Sequence, residues 1–339
     1  MRPFEDQWIT PPAERRDVAD VLGWITAWPD GDARYLVLPN WGWGAREIAI
    51  FAASPACRSL AGLDLSLNEI GPSGASALAA SPYLTNLAVL DFGMNGIGDQ
   101  GLQALAEAPY LPYLIWLNLE ANDIGDAGIG ALATVPYPLD LLVHLNLHFN
   151  LIGDDGLAAL ATSRAVESVT ELNLSTNQFG DPGLEVLATS PYLRQLQRLN
   201  LYWTDMIGIR GVQALCSAPT MRGLIALNLG RLREFSHDGS GDAFAQAVAS
   251  SPHLAELEEL FLPLDNIGDS GASALAHSAT LCRLRVLDLH YNKIGAVGAS
   301  EMAASRSLRR LSRLYLEGNR LSEESKELLG ARFGPALML

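Results

Sequence analysis

Apolar positions recur along this chain as one unit, L-x-x-L-x-L-x-x-N-x-I-G-D-x-G-x-x-A-L-A-x-S-P-x-L, clearest from Leu114 to Leu132 (LIWLNLEANDIGDAGIGAL). With the second leucine as marker the series runs Leu36, Leu63, Leu90, Leu117, Leu145, Leu172, Leu199, Leu227, Leu260, Leu287, Leu314. The steps are 27 or 28 residues, except for 33 between Leu227 and Leu260, which makes about eleven units with the first and last degenerate. The L-x-L segment has period two, so it predicts a short strand with its leucines inward and the residues between them outward. Asn68, Asn95, Asn122, Asn150, Asn177, Asn292 and Asn319 follow where the chain turns, and an amide there bonds backbone that has no ladder partner. Asp99, Asp126, Asp154, Asp181 and Asp269 fall at expected helix N-caps. Apolar residues at i, i+3 and i+4, such as Leu102, Leu105 and Ala106, mark a buried helix face. Pro82, Pro109, Pro136, Pro191 and Pro252 close the helices.

Stacking these units sets strands about 4.8 Å apart and helices roughly 8–10 Å apart. The expected fold is therefore an α/β solenoid, a right-handed horseshoe with a concave parallel sheet and convex helices. Three segments are expected: an N-terminal capping helix region over 1–33, repeats over 34–320 and a C-terminal cap over 321–339. In the first, Val18, Val21, Leu22, Ile25 and Trp28 have helical spacing, with Trp8 and Trp24 as further cover. Trp41 and Trp43 take the asparagine and isoleucine positions of the first unit. In the last, Leu321 and a helix over Glu323–Ala331 close the stack, with Phe333 and Leu337 tucked or frayed.

The unit length and the N-x-I-G-D-x-G-x-x-A-L pattern resemble the ribonuclease-inhibitor-like class of leucine-rich repeats over about residues 34–330. That class includes the ribonuclease inhibitor, the Ran GTPase-activating protein, NOD-like receptor sensor domains and bacterial effectors. The resemblance implies the horseshoe and a binding role but not a partner. The short, Ala- and Gly-rich copies look bacterial.

Composition narrows the function classes. The formal net charge of −15 disfavours nucleic acid or an anionic membrane as partner. Cys57, Cys216 and Cys282 lie far apart with no CxxC spacing, so neither a disulfide framework nor a zinc site is expected, and a cytoplasmic location is. No apolar stretch suits a signal peptide or a membrane span. No phosphate-loop, zinc-protease or nucleophile-elbow motif occurs, so no catalytic, cofactor or metal residue is assigned.

Candidate partner-binding residues come from the outward strand positions. The row between the strand leucines reads Asp64, Asp91, Asn118, Asn146, Asn173, Asn200, Asn228, Phe261, Asp288, Tyr315, and mutual bonding along the ladder is its expected role. One flanking row reads Trp116, His144, Glu171, Arg198, and the other Glu120, His148, Ser175, Tyr202. Cross-strand neighbours lie about 5 Å apart, which sets Glu171 beside His144 and Glu120 beside His148. Two histidines four apart on one strand lie about 13 Å apart and do not share a metal shell. Phe149, Trp203 and Arg231 add interface-type side chains. The unit of Leu199 holds one extra residue, with Asp205 in place of the asparagine. In the unit of Leu227, the insertion carrying Arg231, Arg233 and Phe235 emerges on the rim, where loops often function. Arg306, Arg309, Arg310 and Arg313 form a separate basic cluster.

A protein-interaction scaffold is the leading expectation, its concave face and adjacent rim gripping another protein. A GTPase-activating role like that of the Ran-directed class, and stoichiometric inhibition of a toxin or nuclease, are the alternatives.

Overall fold

The computed structural model describes residues 7–11, 17–27, 34–204, 206–232 and 240–339. The chain divides into two units, Met1–Leu172 and Asn173–Leu339. Both are built from one repeated step of strand, turn and helix.

The first unit runs β1 (Trp8–Ile9), α1 (Val18–Thr26), β2 (Arg34–Val37), α2 (Ala45–Ala52), β3 (Leu60–Asp64), α3 (Gly71–Ala79), β4 (Val89–Asp91), α4 (Gly98–Ala106), β5 (Trp116–Asn118), α5 (Asp126–Ala133), β6 (His144–Asn146) and α6 (Asp154–Ala161), and ends within β7 (Glu171–Asn173). The second runs α7 (Asp181–Ala188), β8 (Arg198–Asn200), α8 (Ile209–Ser217), β9 (Ala226–Asn228), α9 (Ser240–Ser250), β10 (Glu259–Phe261), α10 (Asp269–Ala276), β11 (Val286–Asp288), α11 (Ala296–Ala304), β12 (Arg313–Tyr315), α12 (Glu323–Phe333) and β13 (Leu337–Met338). Strands pair parallel with their sequence neighbours, and the marker leucines stand in register, as in Leu63↔Leu90 and Leu260↔Leu287. Both leucines of each L-x-L are buried, for instance Leu117 and Leu119. Each such side chain contributes about 1.5–3 kcal/mol. The architecture is a leucine-rich-repeat solenoid. Residues Trp8–Ile9 and Leu337–Met338, read from sequence as cover or fray, instead add a parallel strand beside β2 and β12.

Three polar ladders run between successive repeats. In the first, the Asn122 amide donates to Phe92 O (2.9 Å), while its Oδ1 accepts from the N–H groups of Asn95 (3.1 Å) and Ile97 (3.3 Å). The bonding foreseen within one turn thus also crosses to the preceding repeat. In the second, Ser81 Oγ donates to Ala52 O and Ser163 Oγ to Ala133 O, both at 2.6 Å.

The third ladder corrects the expected N-caps. Gly125 caps α5, and Asp126 is its first helical residue. The carboxylate serving that helix comes from the repeat before: Asp99 Oδ1 accepts from Gly125 N–H (2.7 Å) and Gly128 N–H (2.9 Å). Asp181 serves Gly208 and Gly211, Asp242 serves Gly268 and Gly271, and Asp269 serves Gly295 and Gly298 in the same way. This close approach accounts for Gly128, Gly156, Gly211, Gly271 and Gly298. A Cβ on Gly128 would lie 2.6 Å from Asp99 Oδ1 and 3.1 Å from Asp99 Cα.

The asparagine position is also filled by substitutes. Thr204 takes it in the unit of Leu199: its hydroxyl reaches Leu201 O at 3.0 Å, the carbonyl three residues back that Asn150 Nδ2 reaches at 3.1 Å in its own unit. Asp205 lies outside the described residues. In the unit of Leu260, Asp265 fills the place; it is 4% exposed and accepts from Leu232 N–H at 3.1 Å.

Candidate functional site

The outward strand positions form the face of each sheet that carries no helices, and a turn edge borders it. The Asp/Asn row is structural here, though mainly through a different bond from the one expected. Asn118 Nδ2 does donate along the ladder to Asp91 Oδ1 (2.8 Å). More generally each side chain accepts from the N–H two residues on, as Asn118 does from Glu120, Asn146 from His148 and Asn200 from Tyr202, all at 3.0 Å. These Asx turns end each strand and start the next bend.

The residue after that bend is left-handed in repeat after repeat. Leu67, Met94, Ala121 and Phe149 in the first unit, and Thr176, Trp203, Arg231, Leu264 and Tyr291 in the second, have φ between 52° and 63°. Such a conformation costs roughly 1–2 kcal/mol for an L-residue. It is held where the N–H donates to a carbonyl of the following repeat, as Met94 does to Glu120 O (2.7 Å) and Trp203 to Gly230 O (2.9 Å). Large side chains are thereby projected from the edge, with Phe149 56%, Tyr291 55% and Trp203 37% exposed.

On the strand face of the first unit, Trp116 and His144 occupy paired positions on β5 and β6. Their rings stack at 5.1 Å with an interplanar angle of 11°. Glu171 Oε2 stands 3.1 Å from His144 Nδ1, the neighbour relation read from the spacing. Burial holds the His144 imidazole below its ordinary value, and the Glu171 hydrogen bond and charge offset this only in part. At neutral pH the ring is therefore uncharged, a flat half-apolar surface beside a carboxylate. One expectation fails here. Trp116 is buried, packed in a row with Tyr35, Ala61 and Val89 rather than standing free on the surface. Glu120 Oε2 accepts from Asn146 Nδ2 (3.1 Å), the residue paired with Asn118 two positions before Glu120. The His148 ring lies 6.0 Å from that of Phe149.

In the second unit Arg198 Nη2 reaches Glu259 Oε2 at 2.5 Å. The two flank Ala226 on successive strands, and only that small side chain lets the guanidinium pass over β9. Glu259 was legible as the next large member of the Arg198 row. At the edge, the Arg231 guanidinium lies 3.8 Å from the centre of the Trp203 ring, a cation–π contact between neighbouring left-handed residues. Tyr202 is half-buried on the strand side of Trp203. His290, with Asp288 at 2.5 Å and the Tyr291 ring at 5.4 Å, makes a further cluster that the sequence reading passed over. Arg233 and Phe235 lie outside the described residues. Arg306, Arg309 and Arg310 are exposed between α11 and β12, and Arg313 is exposed on β12. Among the described residues no three His, Cys, Asp or Glu side chains gather as metal ligands do, and no helix is long and apolar enough to cross a membrane.

The family model described as Leucine Rich repeat matches residues 56–79, 83–106, 111–133, 141–161, 167–188 and 281–303. Among solved structures, an internalin (inlF) from Listeria monocytogenes str. 4b F2365 is similar at 20% identity and a TM-score of 0.51, over 95% of this chain and 94% of that one. TLR13, solved as a complex with ssRNA13, is similar at 19% identity and a TM-score of 0.50, over 90% of this chain. The present chain spans 45% of that TLR13 chain. A comparison with curated proteins gives no match. The two likenesses speak for the fold alone.

Proposed function

We propose that this chain, a leucine-rich-repeat protein, is a scaffold that binds another protein on the helix-free sheet face and the adjoining turn edge. The carrying observation is that contact side chains are fixed in place before any partner arrives. His144 is clamped between Trp116 and Glu171, Arg198 is tied across Ala226 to Glu259, and Trp203 lies under Arg231. A surface ordered in advance loses little conformational entropy on association. Trp, Tyr and Arg are the residue types that dominate interface energetics.

A protein is favoured over nucleic acid because a net charge of −15 repels a phosphate backbone, whatever the TLR13–ssRNA13 pairing means for that receptor. The spacing of 27 or 28 residues and the Asn and Asp ladders support the ribonuclease-inhibitor-like class, and the short Ala-rich copies a bacterial source. Three free thiols, two of them buried and pushed up to about 12 by desolvation, fit a reducing compartment such as the cytoplasm. Segments 1–33 and 321–339 serve in this reading as end caps. We read this surface as one for binding rather than turnover. The test is co-purification from the source cell with Glu171→Lys, Arg198→Glu and Trp203→Ala variants. Loss of the same partner from all three supports the face, and undiminished recovery from all three refutes it.

A further inference from the structure

The acidic character of this chain is not spread evenly. Met1–Leu172 holds seven basic and twenty-one acidic residues, whereas Asn173–Leu339 holds sixteen and seventeen. Between Arg58 and Arg164 there is no lysine or arginine at all, against eleven carboxylates. That stretch runs from β3 to α6 and contains the turn edge of four successive repeats.

Two rows of side chains follow this edge. The left-handed row reads Leu67, Met94, Ala121, Phe149, and the row two residues on reads Glu69, Gly96, Asp123, Leu151. Leu67 is 51% exposed, Met94 45%, Phe149 56% and Leu151 47%, while Glu69 and Asp123 are exposed beside them. Half-buried Ala121 leaves a gap between Met94 and Phe149. Left-handed backbone favours glycine or asparagine, so leucine, methionine and phenylalanine at these places are held against local preference. Contiguous exposed apolar side chains of this kind mark a contact surface. Carboxylates with no cation from their own repeats steer a positively charged partner and select against a negative one.

We propose that the turn edge of the first unit, from Leu67 to Leu151, docks a cationic amphipathic helix of a partner protein. The inference rests on the protein-binding reading above and names the chemistry of its partner. Successive turns lie about 4.8 Å apart, close to the roughly 5–6 Å between side chains one helical turn apart. A helix laid along the edge sets one apolar residue against each turn and a large one into the gap at Ala121. Its lysines or arginines meet Glu69, Asp123 and Glu120.

The experiment uses the full chain and a fluorescein-labelled leucine–lysine peptide of helical periodicity, about 15 residues long, followed by anisotropy. Controls are the same peptide with glutamate for lysine, a lysine homopolymer and a single-stranded RNA. The leucine–lysine peptide is expected to bind, more weakly as salt rises, and the glutamate peptide not to bind. M94S/F149S and E69Q/D123N, whose positions are all exposed, are each expected to weaken binding at least roughly tenfold with unchanged circular dichroism. Equal binding of the lysine and glutamate peptides overturns the proposal, as does a homopolymer that matches the leucine–lysine peptide. If H144A/E171Q abolishes binding and the edge variants do not, the edge assignment falls while the scaffold reading stands. Preference for RNA over every peptide sinks both. Salt-sensitive self-association that disappears in R306S/R309S/R310S assigns the edge to a second copy of the chain and likewise overturns the proposal.

Discussion

Replacing Asp265 by asparagine should make this protein more stable. Asp265 is 4% exposed, its Oδ1 accepts from Leu232 N–H, and its Oδ2 has no partner among the described residues. Burial raises its carboxyl well above the ordinary 3.8, and the backbone N–H bonds lower it only in part. In the next repeat Asn292 occupies the same place and donates to Leu262 O (2.8 Å) and Leu289 O (3.0 Å). An amide at 265 keeps the Leu232 bond and gains donors toward Leu262 O and the equivalent Leu229 O, each worth about 1 kcal/mol. It also removes the penalty of holding an acid neutral at pH 7, which is at most about 4 kcal/mol for a group that ionises near 4 when unfolded. The expected net gain at pH 7 is roughly 2–4 kcal/mol, or about 3–6 °C in melting temperature. The sign with pH follows from the raised value. The wild-type contribution is complete below the unfolded value of 3.8 and is lost as pH rises through the folded one. The two melting curves should therefore converge near pH 4, where a protonated carboxyl imitates the amide, and separate toward neutrality. Calorimetry of both proteins across pH 4 to 8 measures this. A D265N protein less stable than wild type at pH 7, or a constant gap at every pH, would refute the reasoning.

Other consequences are equally open to measurement. Gly128→Ala forces a Cβ to 2.6 Å from Asp99 Oδ1 and should cost about 1–3 kcal/mol in urea unfolding, where no loss would undo the close-approach account of that glycine. Asp99→Ala strips the bonds to Gly125 and Gly128 in the following repeat, at about 1–2 kcal/mol, and hydrogen exchange should quicken at the start of α5 rather than of α4. His144 should titrate below 6.5 by NMR, and Glu171→Gln should lower it further; a midpoint above 6.5 contradicts burial as the ruling effect. Because that value is depressed, the contribution of His144 to stability is complete above the unfolded 6.5 and falls away as pH drops below it.

The strands and helices were readable because period two and the i, i+3, i+4 spacing are local properties of the chain. Leu117 and Leu119 point inward in any leucine-rich unit of this length. The work of Asp99 was not readable: its partners are the N–H groups of Gly125 and Gly128, and a motif written within one repeat assigns an aspartate to its own helix. Thr204 was missed for a related reason, since its hydroxyl does an amide's work with no resemblance in letters. At the site, the nearness of Glu171 to His144 followed from register alone, which spacing supplies. The burial of Trp116 did not, because it depends on Val89 and Tyr35 of earlier repeats. The left-handed row carries no signature of its own, as its members are leucine, methionine, phenylalanine, tryptophan and arginine rather than glycine.

Since Asp99, Asp126, Asp181, Asp242 and Asp269 each satisfy N–H groups of the next repeat, the repeats they join are not self-sufficient modules. Whatever adds or removes chain must do so in phase. Excising one whole period brings an identical donor to an identical acceptor, whereas cutting half a period strands both. The longest step, 33 residues from Leu227 to Leu260, keeps its fasteners: Leu232 N–H still meets Asp265, and Asp242 still serves Gly268 and Gly271. Extra sequence entering between Leu232 and Asp242 therefore leaves both bonds in place, where cutting a half period elsewhere would not.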